Sequence, residues 1–289
     1  MNNSPAENVF YLGAAKNFGD AVNKTFWEKL AQKSITKDRE RDHYLTAGSI
    51  MCLANDKSIV FGSGFISQHG DLGGGNWHSD QNKIHNIPKK IISVRGPKTR
   101  QKLLGFKIDC PKNYGDPLLL MPCIYNKHQF VERDVVGVIP HFVDQGSEGF
   151  KQFLISLRQN NLQYKLINIK CGANYKYLID EINECKYIVS SSLHGIIMGL
   201  VYNKQTIFTE FSNNIIGGRF KIYDFFEYVD IDYNIKNIHN TNILNNTIKI
   251  NRLKLMKLGQ NMINICPILE QKEKQVATKT WRKFNLQTF

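Results

Sequence analysis

The segment SSSLHG at residues 190–195 passes from an apolar strand pattern through three serines into a helical pattern that contains His194. Free backbone N–H groups at a helix N-terminus point at a bound anion, and the helix dipole favours negative charge there. The hydroxyls of Ser191 and Ser192 would add hydrogen-bond donors, so the segment predicts a phosphate or carboxylate site. The alternative is that a serine caps the helix and the histidine belongs to the core.

A second charged residue, Arg95, follows a strand pattern within the segment SVRGPKT at 93–99. Open α/β sheets bind ligands at the carboxyl ends of their strands, and an arginine there offers a planar fork to a carboxylate or phosphate. The alternative is a salt-bridged surface arginine, because exposed ion pairs are common and weak.

Three further charged or titratable residues lie where strand patterns end. Asp20 follows the first strand and either favours the start of a helix electrostatically or serves as a base in a cleft. His141 and Lys221 each face an anionic ligand or have a structural role. The glycine-rich turns at 62–64 and 71–75 match neither G-x-G-x-x-G nor a Walker loop, which disfavours dehydrogenases and NTPases.

Strand and helix patterns alternate along most of the chain and predict an α/β protein. In the first part, strands are predicted at 9–12, 47–51, 58–62, 90–94 and 117–120, with a helix from Pro97 to Gly105. In the second part, strands are predicted at 134–140, 164–169, 187–190 and 205–211. Helices are predicted around 150–157, at 174–184 and at 194–202.

Charge and composition limit the function classes. The 289 residues include 38 Lys and Arg against 25 Asp and Glu, a net charge of +13 that suits an anionic partner. The chain has no apolar run of about 18 residues and no signal-peptide pattern, so we expect a cytoplasmic protein. The six cysteines are scattered without a C-x-x-C pair, which signals neither a disulfide framework nor a zinc site.

The C-terminal segment 241–289 carries nine Lys and Arg against two acids. An apolar stripe at helical spacing runs from Leu255 to Ile265, and Pro267 breaks the helix. We expect two helices whose basic face is either simply solvated or lies near an anionic membrane surface.

Eight short segments, taken in order, resemble the polysaccharide pyruvyl transferase family, including its succinoglycan ketal-pyruvyl transferase type. The resemblance spans roughly residues 9–226 and rests on NFGDAVN (17–23), AGSI (47–50), FGSGF (61–65), SVRGPKT (93–99), YGDPLLLMP (114–122), GVIPH (137–141), SSSLHG (190–195) and GRFKIYDF (218–225). Each segment alone is weak, but their common order is not expected by chance.

The resemblance implies two Rossmann-like lobes arranged as in GT-B glycosyltransferases, with the active site in the cleft. On this basis we predict an N-terminal lobe at 1–130 on the acceptor side, a C-terminal lobe at 131–240 on the donor side, and basic helices at 241–289 packed on both. The family transfers pyruvate from phosphoenolpyruvate to a sugar as a cyclic ketal and requires neither a metal nor a nucleotide cofactor. Its arginine of the R-G-P segment and its L-H pair recognise the donor, which implies such roles for Arg95, Leu193 and His194.

The residues agree with that chemistry. Phosphoenolpyruvate has a carboxylate and a phosphate, and an arginine fork with a helix N-terminus would bind both. We predict His194 as the acid that protonates the vinyl methylene and Asp20 as the base that deprotonates the acceptor hydroxyl. The remaining predictions are donor contacts at Arg95, Ser191, Ser192, Leu193, His141 and Lys221, and acceptor contacts at Asn17 and Gly64. Some family members have arginine just before L-H, where this chain has Ser192.

Two other functions stay open at this point. A GT-B glycosyltransferase that uses a nucleotide sugar would share the fold, because fold does not determine function. A nucleic-acid-binding module would explain the basic charge, but the excess lies in the C-terminal segment and no nucleic-acid motif occurs, so we expect no nucleic-acid partner. The resemblance suggests a saccharide acceptor that is lipid-linked at the inner face of the membrane, where the basic segment would make peripheral contact.

Overall fold

The computed structural model describes residues 6–13, 17–126, 131–231 and 247–287. Two parallel β-sheets, each flanked by helices, form its framework. This confirms the α/β class predicted from the alternating patterns. The predicted domain boundary at 130/131 borders residues outside this description and the one at 240/241 lies among them.

The first sheet has five strands in the order β2-β1-β3-β4-β5, and all neighbouring strands are parallel. Its strands are β1 (Glu7–Phe10), β2 (Ile35–Thr36), β3 (His43–Leu45), β4 (Ser58–Phe61) and β5 (Lys90–Ser93). Helices α1 (Phe18–Ala21) and α2 (Asn23–Ala31) connect β1 to β2, and α3 (Pro97–Gly105) follows β5.

The second sheet has four parallel strands in the order β7-β6-β8-β9. Its strands are β6 (Arg133–Ile139), β7 (Tyr164–Leu166), β8 (Cys185–Ser190) and β9 (Gln205–Phe208). Helices α4 (Glu148–Gln159), α5 (Tyr175–Asn183) and α6 (Leu193–Val201) connect them in turn. Helix α4 begins where Ser147, at its N-cap, accepts a hydrogen bond from the Phe150 N–H at 3.2 Å.

The remaining helices pack back onto the first half of the chain. They are α7 (Phe220–Val229), α8 (Arg252–Ile265) and α9 (Gln271–Gln287). Helix α7 packs on α3, whereas α8 and α9 pack on each other and α9 also packs on α2. The two basic C-terminal helices were predicted, with the break between them at Pro267.

Helix α6 is buried along its whole length. All nine residues of α6 are buried, which explains why its sequence is apolar throughout instead of amphipathic. A single apolar cluster includes Phe18 and Trp27 from the first half and Ile139 and Ile196 from the second. The two sheets therefore share a core.

Two predicted strands are wrong. Residues 47–51 form a turn that leads into the 3-10 helix Met51–Leu53, and the strand of this region is β3, a few residues earlier. Residues 117–120 belong to the 3-10 helix Pro117–Cys123, which is buried on all sides from Pro117 to Pro122. A short run that is apolar at every position fits a buried strand and a buried helix equally well, so its period carries no information.

Within the described ranges, every helix is too short or too polar to cross a bilayer.

Candidate active site

A cavity of about 280 Å³ lies between the two sheets, at the carboxyl ends of their strands. Its wall comes from segments that follow β1, β3 and β4 on one side and β6, β7, β8 and β9 on the other. In each sheet the order in which strands are added reverses beside the first strand. This switch point lies between β1 and β3 in the first sheet and between β6 and β8 in the second. Open parallel sheets bind ligands at such switch points, so the topology places the cavity where a substrate is expected.

Seven of the residues predicted from the sequence lie on this wall. They are Asn17, Asp20, His141, Ser192, Leu193, His194 and Lys221. The wall also contains Ser49, Trp77, Phe142 and Lys170, which the sequence did not single out, together with aliphatic side chains. Arg95, Ser191 and Gly64 lie behind the wall, within the protein.

The start of α6 opens onto the cavity. Ser190 closes the turn before it, because its hydroxyl donates to the Ile139 carbonyl at 2.8 Å and accepts from the Ser192 N–H at 3.0 Å. Ser192 occupies the N-cap position, but its own hydroxyl makes no capping hydrogen bond. The hydroxyl of Ser192 and the first N–H groups of α6 are thus available to an anion.

Ser191 bonds within the protein instead. Its hydroxyl donates to Asp144 at 2.6 Å and accepts from the His141 N–H at 2.8 Å, while Asp144 also accepts from Ser212. The predicted contact between Ser191 and the donor substrate does not fit this geometry, because the Ser191 hydroxyl is already bonded within the protein. Ser191 instead ties the backbone of His141 to the second sheet.

Lys221 and His141 lie side by side on the wall. The Lys221 Nζ lies 3.3 Å from the His141 Nε2, and both side chains are buried. Burial, with the positive charge of Arg95, lowers the pKa of Lys221 to about 8. Burial, with the charge of Lys221, lowers the pKa of His141 to about 3. The lysine is thus charged at neutral pH and the histidine is not, so His141 adds no positive charge toward an anion.

His194 is held between two groups from the first half of the chain. A Cβ added at Gly19 would overlap Nδ1 and Cε1 of the imidazole, so only glycine leaves room for the ring. On the other side, the His194 Nε2 lies 3.4 Å from Oδ2 of Asp116, a fully buried carboxylate. The His194 side chain is 8% exposed.

Asp20 enters the cavity from α1. The Asn17 Nδ2 donates to its carboxylate at 3.0 Å, which orients it. Behind it, the buried Asn23 Nδ2 donates to the carbonyls of Gly19 and Ala47, at 3.0 and 3.1 Å. These bonds join α1 to the loop that carries Ser49 and fix both against one another.

Arg95 is sealed from the cavity. Its guanidinium is 0% exposed and bonds to Asp224 at 3.0 Å, to the Ser49 hydroxyl at 2.7 Å and to the Phe65 carbonyl. Asp224 in turn accepts from the N–H and the hydroxyl of Thr99, at 2.9 and 2.7 Å, so it caps α3 from another helix. The expected contact between the Arg95 fork and a donor does not fit this geometry, because Arg95 reaches the wall only through Ser49.

Gly64 has a role in the same buried region. A Cβ at this position would lie 2.6 Å from Cζ of Arg95, so the glycine makes room for the guanidinium. The expected acceptor contact at Gly64 does not fit its position, because the residue is buried beneath the arginine.

Four wall or near-wall residues escaped the sequence reasoning. Ser49 and Asp116 lie inside the AGSI and YGDP segments, and that membership was the only signal for them. Trp77 and Lys170 lie in loops without periodicity, where nothing pointed to them. Lys170 is exposed at the mouth, with its Nζ 6.0 Å from the centre of the Phe142 ring.

The wall thus combines cationic groups with an acid–base set. Lys221, Lys170 and the start of α6 suit an anion, while His194 and Asp20 approach from opposite sheets. In the part of the chain that the structure describes, no group of three His, Cys, Asp or Glu side chains is placed to hold a metal ion.

The fold and site define an α/β protein with two parallel sheets and a cavity suited to an anionic ligand at their switch points. The model of the family described as polysaccharide pyruvyl transferase matches residues 33–213, more than half of the chain. The chain belongs to the polysaccharide pyruvyl transferase family. The match includes Asp116, His141 and His194, whereas Asp20 and Lys221 lie outside it.

One relative is described as uncharacterized protein L143 of Acanthamoeba polyphaga mimivirus. It is 28% identical over 196 residues, which are 65% of this chain and 62% of that protein. This chain therefore spans less than two thirds of the length of that curated relative. No solved structure matches the chain.

Proposed function

We propose that the protein transfers pyruvate from phosphoenolpyruvate to two hydroxyls of a sugar and forms a cyclic ketal. The proposal rests on family membership and on one observation: the start of α6, the Lys221 ammonium and the His194 imidazole share a single cavity. Its volume of about 280 Å³ is at the lower end for ligand pockets, which suits a small donor better than a nucleotide sugar.

The donor phosphate lies at the start of α6, where Ser192 and backbone N–H groups bind it and Lys221 offsets its charge. This differs from the sequence-based hypothesis, in which Arg95 supplied the fork. The exposed Lys170 at the mouth is a second cation available to the donor carboxylate. The proposed reaction uses no metal or cofactor, and phosphoenolpyruvate is one of its substrates.

His194 acts as the acid and Asp20 as the base. His194 gives a proton to C3 of phosphoenolpyruvate, which becomes a methyl group and leaves C2 electrophilic. A first sugar hydroxyl attacks C2 and gives its proton to Asp20, which returns it to His194. The second hydroxyl then attacks C2 as the C–O bond to phosphate breaks, and its proton leaves with the phosphate.

The acceptor is a sugar of a cell-surface polysaccharide or of its lipid-linked precursor, with Asn17 among its contacts. The two sheets would be arranged as in GT-B enzymes, with 1–130 on the acceptor side and 131–240 on the donor side. Peripheral contact between the basic helices and an anionic membrane would keep the protein near such a precursor. Sedimentation with anionic liposomes at low salt tests that contact, and its absence would contradict it.

Thermal unfolding with and without phosphoenolpyruvate tests the donor. A ligand at ten times its Kd stabilises the folded protein by about 1.4 kcal/mol, so a millimolar donor raises Tm measurably. UDP, CMP and nucleotide sugars serve as competing ligands. A Tm rise with a nucleotide alone would instead favour a nucleotide-sugar glycosyltransferase.

The matched variants are Lys221→Met and Lys33→Met. The Lys33 side chain is also shielded, at 6% exposed, but it pairs with Glu7 at the opposite end of the first sheet. Lys221→Met should abolish the Tm rise with phosphoenolpyruvate, because the cavity loses its buried cation. Lys33→Met lowers the Tm of the free protein and keeps the rise.

A further inference from the structure

The carboxylate of Asp116 lies beside the His194 ring, and only one of its two oxygens takes part in helix capping. Oδ1 of Asp116 accepts from the Leu118 N–H at 3.0 Å and so caps the 3-10 helix Pro117–Cys123. Oδ2 has no hydrogen-bond partner among the described residues and lies 3.4 Å from the His194 Nε2. An asparagine would cap this helix equally well, because capping needs one oxygen only.

A buried carboxylate oxygen without a partner is costly, since it has lost the hydrogen bonds of water. The nearest polar group that could offset this cost is the imidazole, whose Nε2 is itself buried and without a hydrogen bond in the described structure. The 3.4 Å separation of these two atoms is within ion-pair range. Catalytic hydrogen bonds are commonly long before the substrate binds.

We infer that Asp116 is a positioning residue that holds the Nε2–H of His194 and so directs Nδ1 toward the donor. The inference rests on the function proposed above. In a neutral imidazole one nitrogen carries the proton, and the partner of that nitrogen decides which one it is. The carboxylate of Asp116 accepts the Nε2–H, which leaves Nδ1 as the nitrogen that exchanges a proton with the substrate.

Asp116 acts only as the acceptor of the Nε2–H and exchanges no proton with the substrate. When His194 is an imidazolium, Nδ1 donates its proton to C3 of phosphoenolpyruvate and Nε2–H stays on Asp116. The Gly19 backbone closes the other side of the ring and limits its rotation. The ring orientation is thus set by the first half of the chain, although His194 itself belongs to α6.

The test is the tautomer of His194 in ¹⁵N-histidine-labelled protein at alkaline pH, with resonances assigned by their loss in His194→Ala. We expect the Nε2–H tautomer in the unaltered protein. In Asp116→Asn the side-chain amide would present a donor to Nε2, and the ring should change to the Nδ1–H tautomer. An Nδ1–H tautomer in the unaltered protein would overturn the inference without any variant of Asp116.

Kinetics supply the second readout. Asp116→Asn should lower kcat by about 10²-fold to 10⁴-fold, as loss of the orienting carboxylate does in other histidine pairs, with KM for phosphoenolpyruvate within a few fold. In a His194→Ala background it should have no further effect, because Asp116 acts only through the ring. An additional loss in that background would show that Asp116 has a structural role instead.

Leu120→Val is the control, since it weakens the same 3-10 helix without altering a polar group. It should lower Tm and leave both the tautomer and kcat unchanged. The tautomer measurement needs neither donor nor acceptor. Failure of the proposed function would therefore appear as absent turnover with the tautomer change intact, whereas failure of this inference would appear as turnover with an unchanged tautomer.

Discussion

Two charged clusters follow strand ends in this molecule, and only one of them opens to a ligand. The cavity cluster consists of Asp20, His141, His194 and Lys221, and the buried lock consists of Arg95, Thr99 and Asp224. In the lock, Arg95 and Asp224 satisfy one another and neighbouring groups at 2.7–3.0 Å. In the cavity cluster, Lys221 has no carboxylate within ion-pair distance among the described residues.

The difference shows how to distinguish a charge that holds the fold from one that awaits a substrate. Burial alone does not separate them, since Arg95 and Lys221 are both buried. What differs is whether the charge is already matched within the protein. A matched buried pair fixes structure, whereas a buried cation without a counter-charge becomes more favourable when an anion binds.

The sharpest way to test this comparison is His194→Ala. Turnover per folded molecule should fall by about two to four orders of magnitude, the usual contribution of a general acid, while the protein still folds. Phosphate release from phosphoenolpyruvate in the presence of acceptor measures it. The control is His43→Ala, a buried histidine bonded to Ser58 outside the cavity, which should lower stability and keep turnover per folded molecule. Activity within a few fold after His194→Ala would exclude His194 as the acid.

Substitutions in the buried lock should lower the free energy of unfolding. Arg95→Met leaves the Asp224 carboxylate buried and unpaired, so the free energy of unfolding should fall by about 3–5 kcal/mol. Urea unfolding measures this, and the added change Asp224→Asn should restore part of the loss. KM for phosphoenolpyruvate should stay within a few fold in the folded fraction. A large rise in KM with little loss of stability would show that Arg95 reaches the donor after all.

Gly19 and Gly64 allow the cavity cluster and the buried lock to be compared by the same substitution. In Gly19→Ala the new methyl group displaces the His194 ring, and a misplacement of about 1 Å should lower kcat by about 10²-fold. In Gly64→Ala the methyl group meets the Arg95 guanidinium, so stability should fall by about 1–3 kcal/mol while kcat is kept. Equal effects of both variants on kcat would remove the distinction between the two clusters.

The smallest expected effect is on pH dependence. Because burial lowers the pKa of Lys221 to about 8, its charge is lost as pH rises through that value, and KM for phosphoenolpyruvate should rise by up to about tenfold per pH unit. The donor phosphate is fully ionised there, with a second pKa of about 6 for phosphate esters. Lys221→Met should show a raised KM without this rise. A flat KM between pH 7 and 10 in the unaltered protein would contradict the role of Lys221.

Stability of the free protein should rise with pH over the same range in which donor binding weakens. The folded state holds Lys221 with a pKa of about 8 against 10.5 in the unfolded chain, so between these values the unfolded state binds more protons and unfolding becomes less favourable as pH rises. Burial lowers the pKa of Lys102 to about 8 as well, so both lysines contribute to the stability profile. Only Lys221 should contribute to the KM profile, because Lys102 bonds to the Gly70 carbonyl outside the cavity wall.

The second sheet was the easier half to predict from the sequence. Its strands β6, β8 and β9 are followed by polar residues at 141, at 191, 192 and 194, and at 221, and strand ends on one sheet edge must converge. In the first sheet, the strands β2 and β3 have two and three residues, too few for a period to show. The segment 47–51, just after β3, and the apolar run at 117–120 were wrongly predicted as strands.

The role of Arg95 could not be predicted from its own segment. Its partner Asp224 is 129 positions away, and the local sequence has the same form whether the guanidinium faces a ligand or a carboxylate. Asp116 escaped for a related reason, because Asp-Pro at the start of a helix is an ordinary cap. Only the fold shows that its second oxygen faces an imidazole.

Helix α7 carries a member of each cluster, Lys221 and Asp224, three positions apart and so on one face. A helix moves as a rigid rod, and a slip by one turn displaces every side chain by about 5.4 Å. Any swing of the sheets that pulls Asp224 from α3 would also drag the ammonium out of the cavity. The buried lock and the cavity cluster are therefore mechanically coupled through one helix, so a change at the Arg95–Asp224 pair would be felt at the Lys221 ammonium.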